Sequence, residues 1–386
     1  MLDMITTSSI PQLDILLNRI GAKLQISTTA YNLADDRYRS VSRWLNDEKS
    51  PLKIYRPRIY PQGSLNIGTT TKPVGKAEYD LDFVCEFQIK PEDCLDPLMM
   101  LDLIEQRLES SEIYSPMLKR MNRCMRLNYA NEFHMDILPA CPNPKEGSFG
   151  MTCVLVPDSN LQCLKDSNPL GYAAWFTQIG NQAIMSFKRK SVKPLPEQQI
   201  YEDLNTLQRV VQLMKRCRDI LLAHLKEKER PISIVLTTLA AKHYTGNSSV
   251  TVALMEILDA IILEISQTEG CLVVKNPTNE QEDLSERWVN RSELYKTFVD
   301  WIYDFRLKLK ELVDVRGIHR VEEKMKAMFG ENVAGKVISE YSESLGEQRQ
   351  NGTLGVTKGT GIIVPATVVT SSVVPIRSNT FDGRDE

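Results

Sequence analysis

The chain has 386 residues, with 47 Lys+Arg against 50 Asp+Glu, a formal charge of −3 and 42% apolar residues. That balance excludes a strongly basic nucleic-acid binder, and the length allows two or three globular domains with a sizeable core. The longest apolar run, over 250–265, carries Glu256, Asp259 and Glu264, so no membrane span is expected. No basic flank and apolar run open the chain, so no signal peptide is read and a cytoplasmic protein is expected. Eight cysteines are scattered without a C-x-x-C pair, which suits reduced thiols better than disulfides or zinc.

From 11 to 47, Leu13, Leu16, Leu17, Ile20 and Leu24, then Tyr31, Ala34, Tyr38, Val41 and Leu45, recur at three- and four-residue steps. The spacing predicts one long, bent helix. Pro51 and Pro57 stop it, and β-rich runs follow at 54–60, 79–87, 120–129 and 133–138, with a helical run over 91–110. Helical spacing then dominates at 172–190, 201–226, 232–244, 250–265, 292–313 and 319–341. The expected organisation is a lobe-bridging helix over 1–50, a sheet-bearing core over 51–195, a helical lobe over 196–345 and a tail over 346–386. Glycines at 346, 352, 355, 359, 361 and 383 suggest a flexible tail. Its β-prone islands at 362–364 and 373–376 suit addition to a partner's sheet edge, with a solvated, partnerless tail as the alternative.

The most informative stretch is Gln62-Gly63-Ser64, with Gly68-Thr69, followed by Glu78-Tyr79-Asp80-Leu81-Asp82. Side chains alternate faces along a strand, so Asp80 and Asp82 share one face while Leu81 and Phe83 enter the other. Two anions this close raise each other's pKa unless a cation lies between them. A hard divalent ion prefers carboxylate and phosphate oxygens, which implies a nucleoside triphosphate as substrate. Gly63 lets backbone approach a phosphate, and the Ser64 hydroxyl can donate to one. A third carboxylate on a neighbouring strand completes a two-metal site, and Asp136, amid core-like residues, offers one; an edge strand with Asp136 facing water is the alternative. Arg209, Lys215, Arg216 and Arg218 cluster on one helix and would offset a polyphosphate. The runs 119–126 and 188–193 read as solvated rims, Tyr172 and Trp175 as core, and His134 as a packed strand residue.

These residues resemble the polymerase-β-like nucleotidyltransferases, and more narrowly the bacterial cGAS/DncV-like nucleotidyltransferases (CD-NTases), which make cyclic oligonucleotide signals in anti-phage defence. The resemblance continues through Asp136-Ile137-Leu138-Pro139-Ala140, Asn168-Pro169-Leu170-Gly171-Tyr172, the helix over 207–219 and Pro231-Ile232-Ser233-Ile234, and spans 10–340. It implies an α+β fold: a nucleotidyltransferase core with a small mixed β-sheet, a long N-terminal helix, a C-terminal helical lobe and an active site in the cleft between lobes. It implies that Asp80, Asp82 and Asp136 hold two Mg²⁺ ions, with Mn²⁺ as a substitute. Gln62, Gly63, Ser64, Lys215 and Ser233 would bind nucleotide. The implied reaction joins nucleoside triphosphates, ATP among them, into a cyclic di- or trinucleotide with loss of pyrophosphate. A nucleotidyltransferase for an RNA, protein or small-molecule acceptor, a D-x-D glycosyltransferase and a catalytically silent nucleotide-binding scaffold are the competing readings. A regulatory or activating protein is the partner expected for the tail.

Overall fold

The computed structural model describes residues 4–75, 78–129, 133–181, 195–196, 198, 201–351, 353–357, 363–365 and 373–375. The expected long N-terminal helix is two helices, α1 (Met4–Lys23) and α2 (Thr28–Leu45). Ser27 caps the second by accepting the N–H of Ala30 at 3.1 Å. The Leu24 carbonyl, at the break, takes the N–H of Lys72 instead of continuing a helix. The break sends the two halves to different cores. Leu13, Leu16, Leu17 and Ile20 pack in the helical lobe, whereas Ala34, Tyr38, Val41 and Leu45 pack on the sheet.

The sheet is built from β1 (Arg58–Pro61), then β2 (Tyr79–Glu86) after the single turn α3 (Gly63–Asn66), then β3 (Leu118–Arg120), β4 (Met125–Tyr129) and β5 (Phe133–Pro142). The 54–57 part of the expected first strand is not strand, because Ser50 caps a 3₁₀ turn over Pro51–Tyr55. Strand order is β1-β2-β5-β4-β3, with β6 (Val154–Asp158) on the far end of β5 and β7 (Cys163–Ser167) on β6. The last two strands are not legible in the apolar pattern, since Pro157, Asp158, Lys165 and Asp166 interrupt it. Only β2 and β5 run parallel, which makes the sheet mixed. Strand alternation gives it two unlike faces. Leu81, Phe83, Met125, Leu127, Met135 and Ile137 join a core with α2 and with Met100, Leu101, Ile104 and Leu108 of α4 (Met99–Glu109). Asp80, Asp82, Arg126, His134 and Asp136, at the intervening positions, remain partly or fully exposed.

The helical lobe comprises α5 (Pro169–Asn181), α6 (Thr206–Leu221), α7 (Ser233–His243), α8 (Val250–Gln267), the hairpin β8–β9 (Lys275–Asn276 and Asn279–Asp283), α9 (Arg287–Asn290), α10 (Ser292–Asp314), α11 (Ile318–Phe329) and α12 (Glu331–Gln350). The second half of the helix expected over 172–190, and the basic run at 188–193, lie outside the described residues. The run over 319–341 is two helices, broken at Gly330 with φ +98°. Helix α12 continues through Gly346 to Gln350, past the boundary expected for the tail. Beyond it β10 (Leu354–Thr357) pairs with both β11 (Ile363–Pro365) and β12 (Val373–Pro375), so the β-prone islands pair within the chain. Among the described residues, no helix is long and apolar enough to cross a membrane, and all eight cysteines are free thiols.

Gly330 combines φ +98° with ψ 144°, a region open to glycine almost alone. Gly330→Ala should therefore lose about 1–3 kcal/mol of stability in chemical denaturation, with the far-UV spectrum unchanged.

Candidate active site

The floor of the site is set by strand register. Parallel pairing places Asp80 beside His134 and Asp82 beside Asp136, and antiparallel pairing places Arg126 of β4 across from Asp136. Like charges thus stand on adjacent strands. Burial, and then Asp136 and Asp80, push the Asp82 carboxyl up to about 8. Burial also raises the pKa of Asp80, which Arg126 partly offsets. Asp136 is held by a guanidinium fork, Arg126 Nε to Oδ1 and Nη2 to Oδ2, both at 2.7 Å. His134 Nδ1 lies 3.2 Å from Glu78 Oε2.

The loop after β1 is fitted to that floor. The N–H of Gln62 donates to the Asp82 carbonyl at 2.9 Å. Gly63 has φ +67°, and a methyl group there would overlap Asp82 Oδ2. Both facts require glycine. Ser64 Oγ lies 3.2 Å from Thr70 Oγ1, and the Ser64 carbonyl accepts the N–H of Thr69 at 2.9 Å.

Helix α6 grips the same loop from the other lobe. Gln208, Gln212 and Lys215 lie at i, i+4 and i+7, hence on one helix face. Gln208 Nε2 donates to the Ile67 carbonyl and Gln212 Nε2 to the Thr70 carbonyl, each at 3.0 Å. Lys215 Nζ donates to both the carbonyl and Oγ1 of Thr69 at 3.1 Å. Gln212 also accepts from Gln25, in the break between α1 and α2, at 2.9 Å. Burial, with Arg218 adding to it, lowers the Lys215 ammonium to about 7.

Between floor and helix lies a cavity of about 1030 Å³. Gln62, Gly63, Ser64, Asp80, Asp82, Lys215 and Ser233 all line it; Asp136 does not, and Arg126 does. Arg126, expected at a solvated rim, is therefore part of the floor. Of the basic cluster on α6, Lys215 and Arg218 reach the cavity. Arg218 donates to Ser233 Oγ at 2.9 Å and to the Pro231 carbonyl at 3.0 Å, and forms an ion pair with Asp219. Arg209 is turned away toward Asn18 and the carbonyls of Tyr201 and Glu202. Tyr172 is buried, its hydroxyl 2.9 Å from Thr238 Oγ1.

Two signals for the residues missed were present in the sequence. Arg126 alternates with Met125 and Leu127, which marks it as the polar face of a strand. Gln208 and Gln212 lie on the same helix face as the expected Lys215, between buried apolar residues.

The donor set suits a hard divalent cation. Three carboxylates share a sheet face, and a cation would offset the burial and the repulsion that together raise the Asp82 pKa. Among the described residues, no three His, Cys, Asp or Glu side chains converge on one point as they stand.

A family model for the Second Messenger Oligonucleotide or Dinucleotide Synthetase domain matches residues 14–179. A c-di-GMP synthase of Roseivirga ehrenbergii is 32% identical over 391 aligned positions, covering 98% of this chain and 100% of the relative. The cyclic dinucleotide synthase CdnG of Bradyrhizobium diazoefficiens is 28% identical, covering 92% of this chain and 89% of the relative. The solved CdnG structure from that organism, in complex with GTP, superposes with a TM-score of 0.68 at 24% identity, covering 86% of this chain and 98% of that one. The Escherichia coli CdnC structure with ATP gives 0.60 at 12% identity, covering 82% and 96%. At these identities the two structures establish the fold alone, a mixed α+β architecture.

Gly63→Ala should displace the Asp82 carboxylate and lower kcat by about 100-fold, with the protein still folded by circular dichroism. A second expectation follows from the raised Asp82 pKa. Its folded value, about 8, exceeds the unfolded one, so this group's contribution to stability is full below about pH 4 and is lost as pH rises through about 8. In EDTA, Asp82→Asn should melt close to the wild type at pH 5 and about 2–4 °C above it at pH 9. Thermal melts at the two pH values check this.

Proposed function

Because the chain belongs to the bacterial cGAS/DncV-like nucleotidyltransferases, and is thereby a cyclic-oligonucleotide synthase, we propose that it condenses two GTP molecules into cyclic di-GMP. The observation that supports this choice is full-length likeness to a c-di-GMP synthase at 32% identity. ATP, expected from the sequence, is the comparison substrate. The geometry supports the reaction class: paired carboxylates face a cationic helix across a cavity with room for nucleotides.

The acceptor ribose hydroxyl attacks the donor α-phosphate, an O–P bond forms, and the bond to the β-phosphate bridging oxygen breaks to release pyrophosphate. Repetition within the linear intermediate closes the ring. Asp80, Asp82 and Asp136 would hold two Mg²⁺ ions, or Mn²⁺ in their place, which would acidify the hydroxyl and neutralise the triphosphate. The chain's own residues do the positioning. Gly63 gives the phosphates close access to backbone, and Ser64 offers its hydroxyl. Lys215, whose ammonium is lowered to about 7 by burial, gains a stabilising counter-charge from a triphosphate. Arg218 orients the Ser233 hydroxyl beside it. The lobe walls exclude water from the attack, which favours transfer to ribose over hydrolysis.

The four-part organisation is kept in this proposal, with the helical lobe taking in α1 and α5 and running on through α12 to Gln350. A role in anti-phage signalling in the cytoplasm completes the proposal, together with a regulatory protein recruited by the 346–386 segment; a solved structure of the structurally similar Escherichia coli CdnC is of its complex with HORMA-deltaN.

Incubation with each labelled nucleoside triphosphate and Mg²⁺ or Mn²⁺, followed by mass determination, tests the reaction. The expected product is phosphatase-resistant cyclic di-GMP from GTP alone, with pyrophosphate released. A product requiring ATP would overturn the base assignment, and transfer only to an added RNA, protein or small molecule would overturn cyclisation. Asp80→Ala with Asp82→Ala should lower product formation by at least about 1,000-fold without unfolding the protein; a double variant that keeps its rate would remove both residues from the chemistry.

A further inference from the structure

Asp136 does not line the cavity, and Arg126 does in its place. The guanidinium uses two of its N–H groups, one on each oxygen of the carboxylate, at equal distances of 2.7 Å. This is the fork geometry that makes arginine–carboxylate pairs strong and directional. It is built in by strand pairing, because Arg126 and Asp136 are directly opposed residues of β4 and β5. The side chains are 24% and 17% exposed, so water screens the pair less than it would at an open surface. A divalent ion that takes Asp136 as a ligand meets a carboxylate both of whose oxygens are already engaged. Each oxygen keeps a second lone pair, but the fork fixes the carboxylate's plane and direction, so the ion must either displace a charge-assisted hydrogen bond or bind at an oxygen polarised by, and beside, a positive guanidinium.

We propose that Arg126 is a brake on metal loading: its fork occupies Asp136 in the empty enzyme and yields when a triphosphate offers the guanidinium another anion. The inference rests on the reading of Asp80, Asp82 and Asp136 as metal ligands. Arg126 is a positioning residue in this account, acting on the ion through Asp136. Its place on the cavity wall puts it where phosphate oxygens enter. An empty site would thus hold metal weakly, and metal and nucleotide would load together.

Titration of the nucleotide-free protein with Mn²⁺, read as free Mn²⁺ by electron paramagnetic resonance, tests the proposal on the wild type, Arg126→Gln and Arg126→Lys. Lysine keeps the charge but cannot reproduce the fork. Both variants should bind Mn²⁺ about tenfold more tightly than the wild type, and melts in EDTA establish that each is folded. Tighter binding by Arg126→Gln alone would overturn the proposal, because net charge would then account for the effect. Weaker binding by both would overturn it too, since Arg126 would be holding Asp136 in a ligating pose. Mn²⁺ binding by none of the three proteins would overturn the brake, since freeing Asp136 would then open no site, and if added GTP does not restore binding the metal reading falls with it. Binding by the wild type without tightening in the variants would remove only the brake.

Discussion

Because β2 and β5 run parallel and in register, Asp82 and Asp136 stand side by side with like charge on a half-buried face of the sheet. Much of the site can be understood as a response to that juxtaposition. Arg126 compensates Asp136 from the next strand, and burial with the neighbouring carboxylates raises the Asp82 pKa. Gly63 omits a side chain so that the Asp82 carboxylate has room against the loop. The apolar face of the same strands supplies the rigidity: Leu81, Phe83, Met135 and Ile137 are buried in one core with α2 and α4. Repulsion on one face is held in place by packing on the other.

Helix α6 departs from the usual amphipathic arrangement, since its buried positions include Gln208, Gln212, Lys215 and Arg216 alongside its apolar residues. Buried polar groups of this kind persist where they are hydrogen-bonded. For Gln208, Gln212 and Lys215 the partners are backbone carbonyls and a hydroxyl of the 67–70 segment, so each bond specifies where the loop runs. Gln212 bonds at once to Gln25 and Thr70, which ties the break between the N-terminal helices to the phosphate-side loop. Movement between the lobes and order in the loop therefore share one side chain.

The sequence made the sheet's polar face legible because Asp80, Asp82 and Asp136 interrupt otherwise apolar alternation. It made the helical lobe legible because three- and four-residue spacing survives over most of it. It did not reveal that α1 and α2 part at 24–27, since the apolar period runs through that segment while the Ser27 cap and the Leu24–Lys72 hydrogen bond are what end it. Arg126 was legible as the polar face of a strand but not as part of the floor, because the register that sets it across from Asp136 belongs to the β4–β5 pairing, which alternation within one strand does not specify. The tail strands were visible as β-prone islands, but their mutual pairing depends on β10, a segment whose glycine disguised it.

The same β2–β5 pairing has a consequence for how the molecule comes into being. The connection between the two strands contains α4, β3 and β4, so the carboxylates meet only after a long crossover has closed. The β4–β5 hairpin brings Arg126 and Asp136 together locally, but Asp80 and Asp82 join them only when that crossover closes. The Gly-Ser loop and the D-x-D strand, contiguous in sequence, still lack their third acid until β5 arrives. Chemistry therefore appears together with the long-range topology of the sheet, and a chain still emerging during synthesis is silent until that topology is complete.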